Sequence, residues 1–304
     1  MPNHRYRSAT TAYPGSSLAT ERQTENQIDT FYVDNQGRVN VMWVVGTGPW
    51  QGPVALTGPN FAPPGAALAT ERQSIDQIDL FVVDNQGRVN VMWAVGTGAW
   101  QGPVALTGPN FAPAGAALAT ERQVDENIDQ IDLFVVDNQG RVNVMWTGPQ
   151  HWEGPVGLTG PNFAPPGAHL ATERQKPKQI NLFVVDNFGR VNVMWTGPQH
   201  WEGPVALTGS VASSGGALAT ERQTMNQIDL FFVDNLGHVN VMWTGPQHWE
   251  GPVALTGQDF AVPGAALAAE HQTYNQIDLF VVDNQGYVNV MWTGPQHWEG
   301  PIDL

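Results

Sequence analysis

Six Glu-Arg or Glu-His pairs and twelve tryptophans recur in this 304-residue chain at nearly constant spacing, and they are the residues best suited to chemistry. The pairs are Glu21-Arg22, Glu71-Arg72, Glu121-Arg122, Glu173-Arg174, Glu221-Arg222 and Glu270-His271. A second set, Trp50, Trp100, Trp152, Trp201, Trp249 and Trp298, follows each of them in a loop that reads GTGPWQG or GTGAWQG in two copies and TGPQHWEG in four. An indole face, a guanidinium fork and a carboxylate are together what a sugar demands. The apolar C–H face of a pyranose packs on indole, Arg donates to ring and hydroxyl oxygens, and Glu accepts from hydroxyl protons. The same residues also have a structural reading, with the tryptophan of each VNVMW segment in the core and each Glu-Arg pair acting as a brace between repeats. His271 in the sixth pair lacks the permanent fork of an Arg, which weakens that copy.

Other chemistries fit less well. Catalysis calls for groups with divided roles and unequal pKa values, whereas here six near-identical sets would have to be built at once. The histidines of the HWEG loops (His151, His200, His248, His297) lie a full repeat apart, and no GxSxG, HExxH, P-loop or GxGxxG context occurs. Each DNQG turn brings a single acid without Asp-x-Asp-x spacing, so calcium is disfavoured. No metal and no cofactor is expected, and the protein is read as a non-enzyme.

The element that must position these residues is QIDLFVVDNQGRVNVMW, residues 77–93, which returns six times. Its closing tryptophan stands at Trp43, Trp93, Trp146, Trp195, Trp243 and Trp292. Periods of this length belong to solenoids, propellers or arrays. Ile78, Leu80 and Val82 alternate with Asp79, Phe81 and Val83, and the run is β-branched and aromatic as a strand requires. Asp84-Asn85-Gln86-Gly87 supplies turn chemistry before Val89–Trp93 resumes the extended pattern. Both faces are apolar, so such a hairpin must be stacked between similar sheets.

Each unit offers four extended pieces, in the second copy 66–73, 78–84, 89–93 and 102–108. Four strands per repeat is the pattern of a propeller blade. The expectation is an all-β, six-bladed β-propeller of four-stranded antiparallel blades, a single domain over 1–304 with residues 1–15 as a leader. The termini are expected to close it, the C-terminal segment 300–304 completing a blade beside the N-terminal unit. In such a blade the loops after strands one and three share a rim, which gathers Glu71, Arg72, Gln73, Gln77, Asp79, Trp93 and Trp100. Departures from the period fall in connections: an insertion over 124–129, and SVASS at 210–214 in place of PNFAPP.

A formal net charge of −15 leaves no basic face for phosphate backbones, so nucleic acid is not an expected partner. Cysteine is absent, and no apolar run has the length of a membrane span. The start, MPNHRYRSATT, does not resemble a signal peptide, giving an expectation of a cytoplasmic protein or one released without a classical signal.

The blade motif IDLFVVDNQGRVNVMW, followed by a Trp-Gly-Pro strand and a PPGA-type connection, resembles that of the PLL-like, Photorhabdus-type bacterial β-propeller lectins, which bind fucose and related sugars. The resemblance covers all six repeats. That family usually has seven blades, whereas six is the count of the fucose-binding fungal lectins of the Aleuria type. The resemblance implies clefts between neighbouring blades, each lined by a Glu-Arg pair and by the loop tryptophan of the adjoining unit. It implies a multivalent carbohydrate-binding protein whose partners are glycans or glycoproteins on cell surfaces, without membrane insertion and compatible with an oligomer. The alternative is a protein-interaction propeller in which the tryptophans are hot spots for a polypeptide.

Overall fold

A computed structural model of the chain describes residues 11–12 and 14–304, apart from 125–128, 149–150, 177, 198–199, 225, 246–247, 274–275 and 294–296. The described residues form six four-stranded antiparallel sheets and no helix, hence none long and apolar enough to cross a membrane. This is the six-bladed β-propeller class. The chain divides into two compact units, residues 1–120 and 121–304.

The first unit carries β1 (Ala19–Thr24), β2 (Gln27–Val33), β3 (Val39–Val45) and β4 (Gln51–Ala55), then β5 (Leu68–Arg72), β6 (Gln77–Val83), β7 (Val89–Val95) and β8 (Gln101–Ala105). The third blade is β9 (Leu118–Val124), whose start belongs to the first unit, with β10 (Asp129–Val136), β11 (Val142–Thr147) and β12 (Trp152–Gly157). The fourth is β13 (Leu170–Lys176), β14 (Gln179–Val185), β15 (Val191–Thr196) and β16 (Trp201–Ala206). The fifth is β17 (Leu218–Thr224), β18 (Gln227–Val233), β19 (Val239–Thr244) and β20 (Trp249–Ala254). The sixth is β21 (Leu267–Thr273), β22 (Gln276–Val282), β23 (Val288–Thr293) and β24 (Trp298–Asp303).

Strands pair in chain order within every blade, as up-and-down connections dictate. β24 pairs with β23, Val290 opposite Ile302, so the last blade takes all four strands from its own repeat. The first blade does the same with β1 to β4. This corrects the expectation that the C-terminal segment completes a blade beside the N-terminal unit. The end of the expected leader is also more blade-like than its sequence shows. Asn35 N–H donates to Thr11 C=O at 3.0 Å, as Asn85 N–H does to Phe61 C=O at 2.8 Å one repeat later. Residues 1–10, Tyr13 and most of the insertion over 124–129 lie outside the described residues.

Two apolar faces per blade pack in a fixed pairing. In the first unit Phe31, Val33, Val39 and Val41 of one blade meet Leu68, Ile78, Leu80, Val82 and Met92 of the next. The pattern recurs with Phe183 against Ile228 and Leu230, and with Phe231 against Ile277 and Leu279. Period-two alternation places the Phe set on one face and the Leu set on the other. Cover differs between blades: Ile28 is 39% exposed in the first blade, and Val282 and Val288 are 51% and 45% exposed in the sixth. Their counterparts Val83 and Val89 are wholly buried.

The hairpin turn is held by its Asp. Asp84 Oδ1 accepts the backbone N–H groups of Gln86 and Arg88 at 2.8 and 2.9 Å, and Oδ2 accepts from the Asn90 amide at 3.0 Å. Gly87 follows at φ +71°, where a Cβ would come within 2.5 Å of Ala112 O, so glycine is required there. These turn acids are therefore satisfied by backbone and amide donors, as the structural reading of the DNQG rim anticipates.

Candidate functional site

Among the described residues, each unit has a cavity at the rim formed by its first and third loops. The cavity of the first unit has a volume of about 540 Å³ and lies between Gln23, Gln27, Asp29 and Trp43 of one blade and Ala99 and Trp100 of the next. That of the second unit is about 410 Å³, with Gln123, Gln130, Asp132 and Trp146 facing His200, Trp201 and Glu202. Both fall in the size range of small-ligand pockets.

Each wall has a local cause. The loop tryptophan is turned inward by the core: Trp100 meets Phe31 edge to face, centroids 5.2 Å apart at 78°, and Trp201 meets Phe134 at 5.3 Å and 77°. Trp249 on Phe183 and Trp298 on Phe231 repeat the contact. One edge of the indole thus closes the hydrophobic core while Trp100 and Trp201 also wall the cavities. The VNVMW tryptophans Trp43 and Trp146 pair across the sheet with Asp29 and Asp132. Trp43 packs on the core as expected and lines the cavity as well.

The polar wall comes from two Gln and one Asp. Gln27 Nε2 donates to Asp29 Oδ1 at 2.8 Å and to Gln23 Oε1 at 2.6 Å, and Gln130 Nε2 donates to Asp132 Oδ1 at 2.7 Å. The first-strand Gln then crosses to the next blade: Gln23 to Gly96 O, Gln123 to Lys178 O at 3.0 Å, and Gln175 to Asn226 O at 3.1 Å. The carboxylates are almost inaccessible to water, Asp132 being 2% exposed. Burial pushes Asp132 up to about 7, and Asp79 and Asp229 up to about 6, the amide hydrogen bond opposing it without cancelling it. The fourth blade departs from this pattern, with Asn181 at the Asp position.

The expected Glu-Arg pairs stand elsewhere, on the first strand of each blade, and neither cavity is lined by one. Each Glu Oε1 accepts the backbone N–H of its successor: Arg22 at 2.7 Å, Arg72 at 2.9 Å, Arg122 at 3.2 Å, Arg174 at 3.1 Å, Arg222 at 2.9 Å and His271 at 3.2 Å. The Arg side chains tie backbone together. Arg174 donates to Arg122 O at 3.0 Å, Arg222 to Arg174 O at 3.3 Å, and Arg72 to Ile75 O at 2.7 Å. Arg122 forks onto Asp129 with both bonds at 2.8 Å, and His271 lies 3.3 Å from Glu221. Burial, with the neighbouring Glu221 charge adding to it, pushes Glu173 up to about 7. Of the expected loop tryptophans, Trp100 and Trp201 line the two cavities, Trp152, Trp249 and Trp298 are half-buried, and Trp50 is 49% exposed.

No family model and no curated protein matches the chain. Among solved structures, the BP39L lectin from Burkholderia pseudomallei superposes with a TM-score of 0.91 at 38% identity, over 95% of this chain and 84% of that one. The lectin of Aleuria aurantia, solved with Fucα1-6GlcNAc, matches at a TM-score of 0.63 and 15% identity over 97% of both chains. AofleA from Arthrobotrys oligospora matches at 0.64 and 12%, over 95% of this chain and 86% of that one. The last two likenesses are of fold alone. Blade topology defines the class as a six-bladed β-propeller. At the identity it shares with BP39L, the chain belongs to that protein's family, the bacterial β-propeller lectins, which are not enzymes.

Proposed function

We propose that this lectin binds fucose or a closely related monosaccharide in the cavities between successive blades, one ring per cavity, and thereby attaches at several points to glycans on cell surfaces. The observation that carries the reading is a buried Gln-Asp pair facing an inward-turned indole across a cavity of monosaccharide scale. The pyranose lies with its C–H face on Trp201, and Asp132 accepts two of its hydroxyl protons while Gln130 orients the carboxylate. A fucose complex of the Aleuria lectin supports the sugar class. Individually weak sites gain avidity when a surface presents many copies of the ligand.

A glycan array followed by inhibition with free monosaccharide tests this. Binding to fucosylated glycans that free fucose abolishes is the expected result. Cell attachment that no free sugar disturbs would instead assign the rim to a polypeptide partner.

A further inference from the structure

The cavities are not copies of one another at their mouths. In the first unit the residue before the loop tryptophan is Ala99, and in the second it is His200; both are exposed and both line their cavity. The same exposed position is His151 in the third blade, His248 in the fifth and His297 in the sixth. Ala99 offers a methyl group. His200 offers a flat ring with one donor and one acceptor nitrogen, and Glu202 two residues later adds a carboxylate to the same wall where the first unit has Gln101. A sugar ring seated on Trp201 and Asp132 fills the depth of the cavity, so the side chain at its exposed lip meets whatever the glycosidic bond carries outward.

We propose that the His-Trp-Glu loops make a second subsite, which holds the next sugar residue of an oligosaccharide, and that the Ala99 cavity recognises the terminal ring alone. This rests on the proposed sugar-binding role of the cavities. One neutral hydrogen bond at a partly exposed lip corresponds to a gain of about three- to tenfold in affinity. The chain thus holds two ligand classes on one scaffold, set by one loop position. A surface bearing extended fucosylated glycans is gripped more tightly than one bearing isolated terminal residues.

Titration calorimetry on the full chain with methyl α-L-fucoside and with Fucα1-6GlcNAc tests the proposal. The expected result is a three- to tenfold tighter Kd for the disaccharide, with the ratio of the two Kd values reduced to near parity in the H151A/H200A/H248A/H297A variant. A99H should add one site to the tighter class. Equal affinities in the parent, an advantage that survives the quadruple variant, or no added site in A99H would each overturn it. Absence of heat with both sugars would overturn the sugar-binding role itself, and is distinct from all of these.

Discussion

In the proposed site, Asp132 and Trp201 divide the work by what each can give. The indole has two neighbours, Phe134 on the core side and the cavity on the other, so Trp201→Ala should weaken its own site by about tenfold or more and also lower the melting temperature. Calorimetry beside a melting curve checks both. Asp132 is different because its burial works against folding. Its pKa is held near 7 in the folded chain and lies near 3.8 when unfolded, so the folded state binds the extra proton. The stability that this carboxyl contributes is full below about pH 4 and is lost as pH rises through about 7. Asp132→Asn should therefore be the more stable protein at pH 8, by on the order of 4 kcal/mol, with the advantage vanishing near pH 4. The same substitution should cost sugar affinity at that site, since the accepting carboxylate is gone. Asn181 is the native instance of this exchange. Urea melts of parent and variant across pH 4 to 8 measure the slope; parallel curves would contradict the assignment.

At the scale of elements, the first strands are tied to one another through backbone carbonyls. Arg174 and Arg222 reach the preceding first strand, and Thr220 Oγ1 donates to Thr172 O at 2.9 Å in the same direction. Changing Arg174 and Arg222 together to Ala should lower stability by about 1–3 kcal/mol, the range for hydrogen bonds with a charged partner, and leave the monosaccharide Kd unchanged. Loss of binding without loss of stability would return these arginines to the sugar site. The strands and their turns were legible in the sequence because Phe81 and Leu80 leave neither face for water and because Asp84 and Gly87 mark the turn. The cavity was less so. Gln77 and Asp79 were placed on the rim with Trp93 and Trp100, but nothing in one repeat marked them above the Glu-Arg pair as ligand groups. What makes them a wall is a tryptophan from the next repeat, as Trp201 serves Asp132, and a single repeat does not display that neighbour. The Glu-Arg pairs carried the stronger chemical signal, yet backbone N–H groups bond the Glu carboxylates and backbone carbonyls lie within reach of the Arg72, Arg174 and Arg222 guanidinium groups.

At the largest scale, the first blade on the second, the fourth on the fifth and the fifth on the sixth all pack in one sense, Phe face against Leu face. The sixth blade retains its Phe face with Val282 and Val288 exposed, where Val83 and Val89 are wholly buried. Phe280 is half-buried, whereas Phe183 is fully buried. Phe183→Ala should then cost about 3–5 kcal/mol and Phe280→Ala well under half of that. Equal costs would mean that the sixth face is covered in solution.

The central claim is that sugar sits in the cavities between blades and not among the first-strand Glu-Arg pairs. A crystal soaked with methyl α-L-fucoside tests it most directly. The account predicts a pyranose lying on the indoles of Trp100 and Trp201, with hydroxyls within hydrogen-bond distance of Asp29 and Asp132. Density for the sugar beside Arg122 and Arg174, with both cavities empty, would contradict it.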